Sequence, residues 1–281
     1  MSHAQVLKHS YRGPLESNTI AAIILGLVEG ITEFLPISST GHLILTSHYL
    51  GLEGEKIKIF EVFIQLGAIL AVAILYWNRF LGLLDFKAPK DAKSFRGING
   101  LSKLALACLP ALVCGALFHS TIKGYLFYPR PVALALIVGG LALMVIERVV
   151  KKPSTETLDA ISHKQALLVG VFQCFSLWPG ISRSASTIVG GLVVGLPRSL
   201  AAEFSFLVAV PIMVAATGYD LLKGLEHLSP DDTKMFAIGF IVSFLSALLA
   251  VKIFIQLVGK YSLVSFGIYR ILLGLLVFAL L

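Results

Sequence analysis

This chain has little charge. Asp, Glu, Lys and Arg together make up 14% of its residues, against 57% hydrophobic ones and a mean hydropathy of +0.87. That deficit excludes a water-soluble globular domain and leaves a polytopic membrane protein. Cysteine is scarce too: Cys108, Cys114 and Cys174 are an odd set, all within apolar runs. They lack the paired spacing of a disulfide framework or a metal knuckle, so they read as core residues. No small-residue cleavage site follows a compact apolar stretch near the start, so no cleaved signal peptide is expected. Residues 1–19 read as a polar segment carrying Lys8, Arg12 and Glu16. The net charge of +7 does not point to nucleic acid, because Lys and Arg sit mostly between apolar segments. The positive-inside rule and attraction to lipid headgroups place them there.

The apolar segments differ in length, and the short ones carry the information. A full span needs about 20 mostly apolar residues. Residues 20–36 are fewer, are interrupted by Glu29 and Glu33, and end at Pro36; residues 39–52 are short as well. The two form a re-entrant helical hairpin with its tip at Pro36, Ile37 and Ser38, a kind of backbone tolerated at membrane depth only where it lines a cavity. Residues 58–77, 104–118 and 131–146 are spans. The segment 79–103 is the most basic loop, and 147–164 is a polar linker with Arg148, Lys151 and Lys152; both fall on the cytoplasmic side. Residues 165–179 and 181–196 make a second hairpin broken at Pro179, and 199–222, 235–258 and 263–281 complete six spans. Pro211 is expected to kink its helix.

The two hairpins repeat. Pro36 and Pro179 lie 143 residues apart, Glu61 and Glu203 lie 142 apart, and serines follow each proline at nearly the same offset. Each half, about 20–150 and 160–281, is a hairpin followed by three spans. An odd number of crossings makes the second half enter from the opposite face, which is an inverted-topology repeat whose broken helices meet near the midplane. The expected fold is therefore one all-α membrane domain of six transmembrane helices and two re-entrant hairpins.

Helices that start at the two tips aim free N–H groups and positive dipole ends into one cavity, an arrangement suited to phosphate. Arg183 adds a forked, permanently charged donor, and Ser38, Ser39, Thr40, Ser182, Ser184 and Thr187 add hydroxyls. Membrane hydroxyls also bond simply to backbone carbonyls, and both readings stand at this point. Glu29 and Glu33 are one helical turn apart, and like charges keep them from binding phosphate directly. They suit a divalent cation, Mg2+ or Ca2+, that bridges carboxylate to phosphate; the alternative is a metal-free salt bridge to Arg183. His42, three residues after Ser39, can serve as nucleophile, general base or general acid. Glu61, Gln65, Gln173, Glu203 and Arg270 read as polar glue in or near spans, with bracing of the hairpins through buried hydrogen bonds the alternative for Glu61 and Glu203, and all stay outside the site.

The stretch Glu29-Gly30-Ile31-Thr32-Glu33, followed by Pro36-Ile37-Ser38-Ser39-Thr40-Gly41-His42, and the stretch from Pro179 to Thr187 resemble the two signature motifs of bacterial undecaprenyl pyrophosphate phosphatases. The first matches a Glu-x-x-x-Glu box and the second a Pro-Gly-x-Ser-Arg-Ser-x-x-Thr box. The likeness covers nearly the whole chain after residue 19, the longer polar N-terminus being the departure. The resemblance implies removal of one phosphate from a polyprenyl pyrophosphate carrier lipid for peptidoglycan synthesis, dependence on a divalent cation, and bacitracin resistance. It implies a multi-pass enzyme of the bacterial inner membrane, among membrane lipids, with its site open to the periplasm. By position it assigns Glu29, Glu33, His42 and Arg183 to catalysis and the six hydroxyls to phosphate contact. Copy number is left open, a homodimer included. The rival reading is a secondary transporter or flippase for an anionic substrate, since inverted repeats around a midplane anion site describe transporters as well.

Overall fold

A computed structural model describes residues 15–87, 94–126, 128–150, 153–224, 226 and 228–280. Every regular element among them is a helix. α1 (Leu15–Thr32) follows Pro14 in sequence and stops ahead of Pro36, as the two faces of proline chemistry dictate: tolerated at a helix start, forbidding a helix that runs into it. α1 therefore begins earlier than the expected residue 20, because Glu16, Ser17 and Asn18 are residue types that a first turn accepts. α2 (Ser39–Tyr49), α3 (Glu55–Leu75) and α4 (Trp77–Leu83) follow. α4 occupies the start of the expected basic loop, and α5 (Gly97–Tyr125) consumes its end. Lys90, Asp91 and Lys93 of that loop lie outside the described residues, as do Lys8, Arg12, Lys151 and Lys152.

α6 (Pro129–Val149) carries proline in its first turn. α7 (His163–Gln173) is started by a capping box, in which Gln165 N donates to Ser162 Oγ at 3.2 Å and Ser162 N donates to the Gln165 side chain at 2.9 Å. A 3-10 turn (Cys174–Leu177) leads to Pro179, and then come α8 (Arg183–Val193), α9 (Arg198–Gly224) with Pro211 inside it, α10 (Thr233–Val258) and α11 (Val264–Leu280). Among the described residues, five stretches are long and apolar enough to cross a bilayer: Glu55–Leu75, Gly97–Phe118, Pro129–Val149, Arg198–Gly224 and Pro230–Val258. α11, the expected sixth span, has 17 residues. Leu70, Ile74, Leu141, Leu245, Leu249 and Leu272 are exposed on these helices, an apolar exterior that suits lipid and not water. The chain is an all-helical polytopic membrane protein.

Helix partners exchange between the halves. α1 lies along α10, and α7, its counterpart in the repeat read from the sequence, lies along α5, the counterpart of α10; α3 meets α9, and α6 meets α11. Small residues allow the close approach, as is usual between membrane helices. A Cβ on Gly26 of α1 would lie 2.7 Å from Gly239 O and 3.1 Å from Val242 Cβ of α10, and one on Gly170 of α7 would lie 2.6 Å from Ala107 O of α5. The largest core joins Phe34, Phe204, Phe206, Leu207 and Phe254 around the middle of the molecule.

Several polar residues sit where the sequence does not put them. Lys103, expected as a loop cation, is fully buried in α5, and its Nζ donates to the carbonyls of Ser94 and Asp159 at 3.1 Å each. The start of α5 at Gly97 places it within a helix, and two carbonyls at the end of its long stem stand in for water. Glu203 pairs with Arg79 at 3.4 Å, whereas Glu61 accepts from Ser47 of α2 at 2.6 Å and so braces the first hairpin. Cys108 is buried; Cys114 and Cys174 are half-buried free thiols 3.8 Å apart.

Gly26→Val should push α1 off α10 and lower stability by about 1–3 kcal/mol, the usual cost of overpacking. Gly218→Ala in α9, where a Cβ meets nothing within 4 Å, is the matched control and should be neutral. Thermal unfolding in detergent checks the pair.

Candidate functional site

Two serines define the geometry of the tips. Ser38 and Ser182 have φ of 70° and 73°, and they are the only non-glycine residues with positive φ among the described residues. Each is the N-cap of the helix that leaves its tip: Ser38 Oγ accepts from Gly41 N at 3.4 Å, and Ser182 Oγ accepts from Ala185 N at 3.2 Å. A left-handed serine costs on the order of 1–3 kcal/mol and persists only where its surroundings require it. Here the requirement is a reversal just after proline that still leaves a hydroxyl to cap the next helix. The same strain at equivalent places in both halves is the sharpest structural trace of the repeat.

The tips touch. Ser184 Oγ, in the first turn of α8, donates to Leu35 O at the other tip at 2.7 Å. Phe34 packs edge-on against Phe206 with centroids 5.4 Å apart, and the Arg183 guanidinium lies over the Phe34 ring at 5.3 Å. Beside that contact, Glu33 binds both hairpins at once. Its Oε1 accepts from Arg183 Nη2 at 3.1 Å, and its Oε2 accepts from Ser39 Oγ at 2.5 Å. The second Arg183 nitrogen, Nη1, donates to Ser205 O at 3.3 Å and Ser205 Oγ at 3.4 Å, and Ser205 Oγ in turn lies 2.6 Å from Thr187 Oγ1. Ser182 Oγ and Ser184 Oγ are 3.0 Å apart.

The predicted residues divide into three groups. Glu33 is bonded directly to both Ser39 and Arg183, with Ser182, Ser184 and Thr187 ranged along the start of α8 beside them. Glu29 is fully buried one turn below Glu33, and neither of its carboxylate oxygens has a hydrogen-bond partner. A buried carboxylate without donors, one turn from a second that is held by Arg183 and Ser39, is chemistry for a shared proton or a bound cation. Among the described residues no three His, Cys, Asp or Glu side chains gather as a metal cage. Any cation here would take Glu29 and Glu33 and complete its shell from substrate phosphate and water, as Mg2+ commonly does. His42 stands apart. Although it shares α2 with Ser39, its Nδ1 is 2.7 Å from Ser38 O and its Nε2 is 2.6 Å from Tyr269 Oη of α11. Thr40 is half-buried at the start of α2.

Sequence reasoning missed Ser205 and Tyr269 and set Arg270 aside. Arg270 is fully buried, and its Nη2 donates to Gly180 O of the second tip at 3.0 Å and to Ala135 O at 3.4 Å. An arginine in a terminal apolar span was the available signal for it. Ser205 offered none, because a single hydroxyl in an apolar helix has no pattern.

Ser38→Val and Ser182→Val should each cost several kcal/mol, since a β-branched residue is poorly tolerated at φ near +70° and the cap is lost as well. Ser→Gly at the same positions relieves the backbone and should cost much less. Unfolding temperatures of the four variants test the strain.

Over residues 22–276 the chain matches the profile of the family described as bacitracin resistance protein BacA. It is 55% identical over 262 residues to a curated undecaprenyl-diphosphatase of Nitratidesulfovibrio vulgaris strain DP4, covering 93% of this chain and 98% of that protein. A relative of the same name from Maridesulfovibrio salexigens is 55% identical over 261 residues, with 93% and 98% covered. Undecaprenyl-diphosphatase 1 of Bacillus anthracis is 51% identical over 262 residues, with 92% and 97% covered. With hairpins, motifs and profile in agreement, the chain belongs to the bacitracin resistance protein BacA family.

Proposed function

We propose that this chain is an undecaprenyl-diphosphatase that cleaves the terminal phosphate from a membrane-embedded polyprenyl pyrophosphate, returning the lipid monophosphate to peptidoglycan synthesis. The observation that carries the reading is the Glu33 junction. A hydroxyl whose proton is already directed onto a buried carboxylate lies beside a guanidinium and two converging helix N-termini. The relatives, each an undecaprenyl-diphosphatase by name, support the substrate.

In this reading Ser39 Oγ attacks the terminal phosphorus and its proton passes to Glu33. The bond from phosphorus to the bridging oxygen breaks, and the lipid monophosphate departs. Water then gives a proton to His42 and attacks phosphorus, the bond from phosphorus to Ser39 Oγ breaks, Glu33 returns its proton to Ser39, and inorganic phosphate leaves. Arg183 exchanges part of its hold on Glu33 for phosphate oxygens; its Nε is buried without a partner and is free for that purpose. The free N–H groups at the start of α2 and α8 hold negative charge that builds up in the transition state. Glu29 and Glu33 fit a divalent cation, which when bound would neutralise charge on the phosphates.

The site opens to the periplasm of a bacterial inner membrane, and 147–164 lies in the cytoplasm together with the basic segment around α4. A cysteine in place of exposed Glu156 should resist an impermeant maleimide applied to intact cells; labelling would reverse the topology.

Purified protein should release inorganic phosphate from a long-chain polyprenyl pyrophosphate, and a chelator should stop it. Absence of release would favour the transporter reading instead. Glu33→Gln should lose most turnover. Arg183→Lys keeps the charge but not the fork, and kcat should fall by about 100-fold or more, the scale of a lost transition-state donor. Turnover near wild type in Arg183→Lys would reduce Arg183 to a structural partner of Glu33.

A further inference from the structure

α11 presents two adjacent side chains to the two hairpins. Arg270 donates to the backbone of the second tip at Gly180, and Tyr269 reaches His42 on the first hairpin. Gly139 of α6 leaves the space that Arg270 fills, since any Cβ there would collide with the guanidinium. One turn of α11 thus sets the position of both halves of the site.

The Tyr269 contact has a defined polarity. A carbonyl only accepts, so His42 Nδ1 carries the proton that it gives to Ser38 O, and in the neutral ring, the form that can act as a base, the lone pair is then at Nε2. The tyrosine hydroxyl therefore donates to Nε2 at 2.6 Å. The phenol and imidazole rings also stack, with centroids 5.6 Å apart and planes within 10°. Backbone at one nitrogen, hydroxyl at the other and a stacked face together leave the imidazole no free rotation. Tyr269 is 43% exposed, so its hydroxyl can yield to a reacting water without disturbing the core.

We propose that Tyr269 is a positioning residue for this reaction, acting through His42: it holds the imidazole plane and tautomer so that the Nε2 lone pair meets the water that attacks phosphorus. The kinetic part of the proposal rests on the hydrolase reading above; the Tyr269–His42 bond itself does not.

Tyr269→Phe keeps the ring and removes only the hydroxyl. Phosphate release should then show kcat lowered about tenfold or more, the scale expected of a displaced reacting group, with KM within about twofold. In a His42→Asn background the same substitution should lower kcat no further, because the two side chains act as one unit. A second arm needs no substrate. Diethyl pyrocarbonate acylates an imidazole lone pair, and mass spectrometry of the His42 peptide should show faster acylation in Tyr269→Phe than in wild type, with protein that unfolds at the wild-type temperature. Unchanged kcat, losses that add to those of His42→Asn, or unchanged acylation of His42 would each overturn the proposal. If wild type releases no phosphate the hydrolase reading falls, while the acylation rates still decide whether Tyr269 holds His42.

Discussion

The ion pair between Glu33 and Arg183 is the constraint on which the rest depends. Each charge costs several kcal/mol to take out of water, and removing one partner of a buried pair costs about 3–5 kcal/mol because the other is left uncompensated. Neither hairpin tip can therefore hold its charge by itself. The tips must come together, and the fold supplies what that needs: Ser184 bonded across to Leu35, Phe34 lying under the guanidinium, and Ser205 supporting its far side. Ser39 completes the arrangement by using the second oxygen of Glu33.

Bringing two tips face to face has a backbone cost, met at Ser38 and Ser182. A glycine at either place would relieve the strain but would give up the side-chain cap. Serine keeps the cap and leaves the remaining N–H groups of each first turn directed into the same space. Two helices that start at touching tips direct their N-termini toward one place, where their positive dipole ends add. The tight glycine contacts of α1 with α10 and of α7 with α5 hold the two hairpins in place.

Helices outside the motifs share this work. α9 contributes Ser205, and α11 contributes Tyr269 and Arg270, although neither helix contains a recognisable phosphate-binding pattern. Lys103 shows the same principle away from the site, where a cation counted among loop charges is satisfied by two carbonyls from separate segments. The match to the bacitracin resistance protein BacA family runs over residues 22–276 and so spans both tips.

By itself the sequence determined that the chain is helical and membrane-embedded, that it breaks at Pro36 and Pro179, that the breaks repeat, and that Glu29, Glu33, His42 and Arg183 are the side chains out of keeping with an apolar chain. These are local matters: hydropathy over a window, proline stereochemistry and the cost of charge at depth act within a few residues. Helix ends were less legible, as α4 and α5 show, because Arg79 and Lys103 look like loop residues until their surroundings accept them. Tertiary structure alone decided that Glu33, rather than Glu29, takes Arg183, that Ser39 bonds to Glu33 while His42 turns away to Tyr269, and that Arg270 steadies the second tip. Each of those choices joins residues from different helices, and the order of residues along a chain carries no distance between them until packing brings the helices together.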